Sequence, residues 1–151
     1  MMDKDVNDLY YVCSLIEYLG RMTKNRNGDI VWLMGKKELE RQLYLAPVNH
    51  CLSFEQVGSE LVEELGIKTG NFDAVGRCRY QVPRYTSIGG VYRDLILDIN
   101  KNAKAERPLV TVMYEVFTSF ISDEISDFNA STYYENPSYI YHSYVAGKLL
   151  E

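Results

Sequence analysis

Residues 53–67 read SFEQVGSELVEELGI, and they carry the clearest fold signal in the chain. Ser53 and Gln56 have the spacing of a capping box, in which the two side chains satisfy the first free amides of a helix. Apolar residues then recur on one helical face. Gly66 is placed to end the helix in a left-handed cap, with Ile67 packing back. The stretch therefore predicts an amphipathic helix with both ends marked.

Helical periodicity extends in both directions from this segment. Apolar residues follow a period near 3.6 over residues 6–22, 36–46, 88–99, 109–128 and 140–149. We expect Pro47 to stop the second of these helices, because proline disfavours the helical state in the residue before it. Thr86 or Ser87 is expected to cap the third, and residues 109–128 to form the central helix of the core.

The last helix is expected to begin at Asn136 and Pro137, a cap residue followed by a first-position proline. Residues 29–34 form a short apolar piece before Gly35 that fits either a helical turn or a strand. Periodicity does not separate these two alternatives.

Residues 70–85 follow a different pattern. Cys78, Tyr80 and Val82 alternate with polar residues, which is the period of an extended segment with one buried side. Pro83 excludes a long central strand, because it cannot donate to a sheet. This segment is therefore predicted to be an extended crossing or a short edge strand.

Together these patterns predict an all-α fold. The chain has 151 residues, of which 46% are hydrophobic and 25% charged, the ordinary range of a globular protein. Its length suits one domain, since two cores would each be marginal. We therefore expect a single compact domain over residues 1–151, with about six helices and at most one short extended or two-stranded element.

Charge and cysteine content restrict the functional classes. The chain has 16 Lys and Arg against 21 Asp and Glu, a net charge of −5, so binding to nucleic acid is disfavoured. A DNA-binding regulator is the third alternative, with Arg77, Arg79 and Arg84 as possible anion contacts. Residues 1–5 are polar and acidic, so no secretory leader is expected. Three cysteines suit reduced thiols and a cytoplasmic location, with no membrane partner.

No catalytic motif stands out. His50 and Cys51 are adjacent, but nucleophilic catalysis also needs an orienting third group. The cysteines and histidines lack metal-ligand spacing, so neither a metal nor another cofactor is expected. An enzyme or small-ligand binder with a site built from scattered residues is the second alternative. A deep polar pocket joining His50, Cys51 and a carboxylate would favour it.

Tyrosine is the unusual feature of the composition. The chain has 13 tyrosines, five of them near its end: Tyr133, Tyr134, Tyr139, Tyr141 and Tyr144. Tyrosine is enriched at protein interfaces, so these residues are candidates for an interaction surface. A tyrosine-rich core with hydroxyls reaching the solvent is the other reading. Trp32 and Phe72 are secondary candidates for the same surface, and a homo-oligomer is compatible with it.

Three sequence blocks carry a resemblance: residues 11–18 (YVCSLIEY), residues 70–83 from GNFD to YQVP, and residues 133–141 (YYENPSYIY). Along nearly the whole chain they resemble a family of small, uncharacterised bacterial proteins. Members of that family lie beside toxin-like genes, including ones similar to ADP-ribosyltransferases. The resemblance implies a neutralising, antitoxin-like role and assigns no functional residue.

The leading hypothesis is thus a non-catalytic, cytosolic helical interaction protein whose partner is another protein. The resemblance implies that this partner is a toxin. The acidic charge of the chain would suit a basic partner.

Overall fold

The computed structural model describes residues 3–151; Met1 and Met2, part of the polar start on which the leader prediction rests, lie outside the described residues. Within this range the fold is all-helical and contains no β-strand. Eight α-helices and one 3-10 turn replace the predicted six or so helices. The α-helices are α1 (Asp3–Thr23), α2 (Asn27–Asn49), α3 (Phe54–Leu65), α4 (Ala74–Arg77), α5 (Tyr85–Lys101), α6 (Leu109–Phe117), α7 (Phe120–Ser126) and α8 (Pro137–Ala146), and the 3-10 turn spans Thr132–Tyr134.

Helix α1 is the centre of the core. Residues 11–17 are buried without interruption over nearly two helical turns, so the middle of this helix is covered on every side. It packs most extensively against α5, then against α2 and α3. The prediction that residues 109–128 form the central helix is wrong.

That predicted helix is divided into α6 and α7 at Thr118 and Ser119. The Thr118 hydroxyl donates to the carbonyl of Tyr114 at 2.6 Å, and the Ser119 hydroxyl donates to that of Val116 at 2.7 Å. Short hydroxyl side chains offer the backbone an alternative to the helical hydrogen bonds, and here they end one helix before the next begins.

Helix α2 contains residues 29–34 and residues 36–46, which the sequence patterns treat as two separate elements. Residues 29–34 are helical, and Gly35, with φ 70° and ψ 171°, bends the helix in a conformation that favours glycine. The prediction that Pro47 stops the helix is wrong, because α2 continues to Asn49. Proline removes one amide donor from the last turn, but the His50 amide still donates to the Ala46 carbonyl at 3.0 Å.

The segment between α3 and α5 contains no strand. Asp73 caps the four-residue helix α4, since its carboxylate accepts from the Gly76 amide at 2.9 Å. Tyr80 is exposed, so the alternating residues do not share a buried face. Helix α5 begins at Tyr85 with Arg84 as its cap residue, so the prediction that Thr86 or Ser87 caps it is wrong and both residues lie inside the helix.

The predicted caps at both ends of α3 and at the start of α8 are confirmed. The Ser53 hydroxyl accepts from the Gln56 amide, and Gly66, with φ 64°, lets the Ile67 amide donate to the Val62 carbonyl at 3.0 Å. This pairing is a Schellman motif. At the other helix, the Asn136 side chain accepts from the Ser138 amide at 2.8 Å.

Helices α1 and α5 are in close contact at Ser14 and Gly89. A Cβ atom on Gly89 would lie 2.9 Å from the Ser14 Cα and closer still to its hydroxyl oxygen. The neighbouring Gly90 has no such constraint, because a Cβ there would meet nothing nearer than 3.5 Å. Only the first of these two glycines is required by the packing.

Replacing Gly89 with alanine should therefore destabilise the protein. We expect Gly89→Ala to lower the free energy of unfolding by about 2 kcal/mol, because helices already in contact must separate. Gly90→Ala is the matched control and should raise that free energy by about 0.5 kcal/mol, as alanine is the better helix former. Urea unfolding followed by circular dichroism measures both values, and equal effects of the two substitutions would contradict the close packing.

Candidate functional site

The turn between α1 and α2 holds the segment that carries Phe72. The Gly70 amide donates to the Thr23 carbonyl at 2.8 Å, and the Phe72 amide donates to the Lys24 carbonyl at 2.9 Å. Gly70 lies so close to the turn that a Cβ would be 2.6 Å from the Lys24 carbonyl oxygen. The backbone itself therefore sets the position of Phe72.

Two guanidinium groups contact the Phe72 ring. The Cζ atom of Arg26 lies 4.4 Å from the ring centroid, and that of Arg77 lies 5.4 Å from it. Both distances are within the range of a cation–π interaction. Arg26 also pairs with Asp123 at 3.1 Å, whereas Arg77 has no acidic partner within 4.0 Å among residues 3–151.

These residues line an open polar cavity of about 210 Å³. A neighbouring groove of about 220 Å³ shares Arg26 and Asp123 with that cavity and is bordered by Trp32, whose side chain is 70% exposed. The two depressions therefore lie side by side. We refer to Arg26, Trp32, Phe72 and Arg77 as the arginine–aromatic surface.

Asn129 attaches the predicted basic segment to this surface. Its side-chain amide donates to the Arg77 carbonyl at 3.0 Å, and its side-chain oxygen accepts from the Arg79 amide at 2.8 Å. Arg79 thus follows directly after the surface, and its side chain is exposed. Arg84 precedes α5 and lines neither depression, so the three predicted anion contacts do not form one cluster.

The tyrosines near the end of the chain are mostly part of the packing. Tyr134 is the well-exposed member, at 67%, and its ring meets that of Tyr133 at 4.9 Å. Tyr133 is half-buried and contacts Phe128, which lines the 210 Å³ cavity.

The remaining three tyrosines, on α8, are each half-buried against the core. The Tyr139 hydroxyl donates to the Leu150 carbonyl at 2.8 Å, and the Tyr141 ring contacts that of His142. Burial and the nearby Glu115 carboxylate raise the pKa of Tyr144. Each of these side chains is therefore partly packed against the core and partly exposed to solvent.

His50 and Cys51 do approach each other, but without a completed catalytic set. The Cys51 Sγ lies 3.8 Å from His50 Nε2, and His50 Nδ1 lies 3.2 Å from the Ala46 carbonyl oxygen. A backbone carbonyl therefore takes the position where a carboxylate would orient the imidazole. Both side chains are exposed to solvent. Within residues 3–151, no group of three or more acidic, histidine or cysteine residues is arranged to hold a metal ion.

Comparison with known proteins adds no relative: no protein-family model, no curated protein and no solved structure matches this chain. None of the helices in the described part of the chain has the length and apolar character needed to cross a membrane.

Sequence patterns missed Arg26 and Asn129. Arg26 lies in a polar turn, and Asn129 lies in a loop, so neither contributes to a helical period. Their positions depend on contacts between segments that are about 50 to 100 residues apart, as in the Arg26 pair with Asp123. No local signal in the sequence reports such contacts.

The three free thiols should differ in reactivity. Cys51 is exposed, Cys78 is half-buried and donates to the Tyr80 carbonyl, and Cys13 is fully buried. Burial raises the pKa of the Cys13 thiol far above its usual range. We expect Ellman's reagent to modify Cys51 first, Cys78 more slowly and Cys13 only after unfolding, because the thiolate is the reactive form. In Cys51→Ser the fastest phase should disappear, and its persistence would contradict this order.

Proposed function

We propose that this protein is a non-catalytic interaction protein that binds another protein through the arginine–aromatic surface. The observation that carries the proposal is the contact of two guanidinium groups with the Phe72 ring, next to the exposed Trp32. Tryptophan and arginine are enriched among the residues that dominate binding energy at interfaces. A neutralising, antitoxin-like role in the cytoplasm is the form of this function that the resemblance implies.

The partner chemistry that suits this surface is an acidic segment with an apolar side chain beside its carboxylate. Arg77 has no acidic partner among the described residues and can donate hydrogen bonds to a carboxylate, and Arg79 adds a second positive charge next to it. The apolar side chain would pack against Trp32 or Phe72. This differs from the expectation based on net charge alone, because the two arginines without an acidic partner in residues 3–151, Arg77 and Arg79, would direct the acidic segment, although the carboxylates of Asp123 and Asp127 also line the cavity.

The first test requires a partner identified by co-purification with the tagged full chain. For that partner we expect Trp32→Ala and Arg77→Ala each to weaken binding by more than about tenfold, because central aromatic and arginine residues carry most of the binding energy. Arg107→Ala is the matched control, since this exposed arginine pairs with Glu115 outside the surface. Titration calorimetry measures the dissociation constants.

The tyrosines provide the competing surface in the same experiment. Tyr134→Ala, Tyr139→Ala and Tyr141→Ala should leave binding nearly unchanged if the arginine–aromatic surface is the docking site. A loss of more than about 1 kcal/mol on replacing Tyr139 or Tyr141, with full binding by Trp32→Ala and Arg77→Ala, would move the interface to the end of the chain and overturn the proposed site.

A further inference from the structure

The 210 Å³ cavity beside Phe72 is lined by side chains of both charges. We call it the Phe72 cavity. Two arginines and two aspartates line it, Arg26 and Arg77 together with Asp123 and Asp127. Arg26 and Asp123 pair with each other at 3.1 Å. Neither Arg77 nor Asp127 has an oppositely charged group within 4.0 Å in the described part of the chain. The cavity therefore offers one unpaired cation and one unpaired anion to a ligand.

Asn129 connects the two segments that carry these unpaired charges. Its side-chain amide donates to the Arg77 carbonyl at 3.0 Å, and its backbone amide donates to the Asp127 carboxylate at 3.1 Å. The second hydrogen bond orients the carboxylate, and the first fixes the backbone from which the guanidinium extends. Both charges are thus placed at one cavity before a ligand arrives, which lowers the entropic cost of binding.

Two phenylalanine rings provide apolar lining between the charges. Phe72 is half-buried, so part of its ring stays accessible, whereas Phe128 is only 3% exposed. The Phe128 ring is fixed edge-on by Tyr133, with centroids 5.7 Å apart, and the Arg21 guanidinium lies 5.1 Å from its centroid. A small apolar group can therefore pack against rings whose positions are already set.

The size and charge of the cavity restrict the class of ligand. Its volume is below the roughly 300 Å³ at which sites for drug-sized molecules begin, so the ligand must be small. A simple anion on Arg77 would be repelled by the Asp127 carboxylate, and a simple cation would be repelled by the guanidinium. A molecule with both charges can pair with both groups, since guanidinium binds carboxylate in a bidentate manner and ammonium donates to carboxylate.

We propose that the Phe72 cavity binds a free α-amino acid with an apolar side chain. Its carboxylate pairs with Arg77, its ammonium group pairs with Asp127, and its side chain packs against the Phe72 ring. This inference goes beyond the proposed function and does not depend on it, because the ligand is a small molecule. Both functions use Arg77, so a bound amino acid would compete with a protein partner for that residue.

The test titrates L-alanine, L-leucine and L-phenylalanine into the full chain by calorimetry. We expect saturable binding at one site for at least one of the three, with a dissociation constant below about 1 mM. Amide shifts in NMR spectra should concentrate at Arg77, Asp127 and Asn129. Failure of all three amino acids to saturate, or shifts centred outside the cavity, would overturn the proposal.

Analogues that lack one charge test the role of each group. For L-leucine the matched compounds are 4-methylpentanoate, which lacks the ammonium group, and 3-methylbutylamine, which lacks the carboxylate. The same pair of deletions is made for whichever amino acid binds most tightly. Each analogue should bind at least about tenfold more weakly than its amino acid, because one unpaired charge of the cavity then stays without a partner. Equal affinity of the amino acid and either analogue would contradict the two-charge site.

Two variants assign the charges to residues. Asp127→Asn keeps an oxygen that can accept from the Asn129 amide, so we expect it to fold, and Arg77→Gln removes an exposed guanidinium. Each should weaken amino acid binding by at least about tenfold. In Asp127→Asn the analogue without the ammonium group should bind as well as the amino acid, a result that a merely structural role would not produce.

Glu60→Gln and Arg107→Gln are the matched controls, because both residues are exposed and lie outside the cavity. They should leave amino acid binding unchanged. Circular dichroism confirms the fold of all four variants. Wild-type affinity in folded Arg77→Gln and Asp127→Asn would overturn the proposed site.

Discussion

The burial of the middle of α1, over residues 11–17, is the constraint on which the other features depend. A helix covered on every side must satisfy its polar side chains from neighbouring elements, because water cannot reach them. Glu17 meets this requirement through Arg21 and the Asn27 side chain, each at 2.7 Å. Burial nevertheless raises the pKa of its carboxyl group. Because Asn27 is the first residue of α2, satisfying Glu17 also fixes the turn between the two helices.

That fixed turn explains how a surface built from distant segments becomes rigid. The turn accepts the amides of Gly70 and Phe72, so the Phe72 ring is held where Arg26 can contact it. Asn129 then ties the end of α4 to the loop after α7, which places Arg77 on the same ring. Each step uses backbone hydrogen bonds or a short amide side chain. The exposed groups are therefore presented by a framework that loses little entropy on binding.

The sequence predicts most of the helices but little of either site, and the reason is physical. Capping chemistry is local, so Ser53, Gly66 and Asn136 mark helix ends that the structure confirms. Three features depend instead on competition between local and tertiary interactions. They are the division between α6 and α7 at Thr118, the continuation of α2 past Pro47, and the absence of the expected strand near Tyr80. Site residues such as Arg26 depend entirely on contacts far apart in sequence, which no periodicity records.

Glu17 and Ser14 lie three residues apart on α1, and they differ in how their polar groups are satisfied. Both are buried, yet the carboxylate has two partners and the hydroxyl has none. A helix position buried against α5 is ordinarily filled by an apolar residue or a paired polar one. Serine at this position, opposite a glycine, therefore places an unpaired hydroxyl in the contact between α1 and α5. Leaving this buried hydroxyl unpaired costs free energy, and that cost falls at the contact between α1 and α5 that Gly89 makes possible.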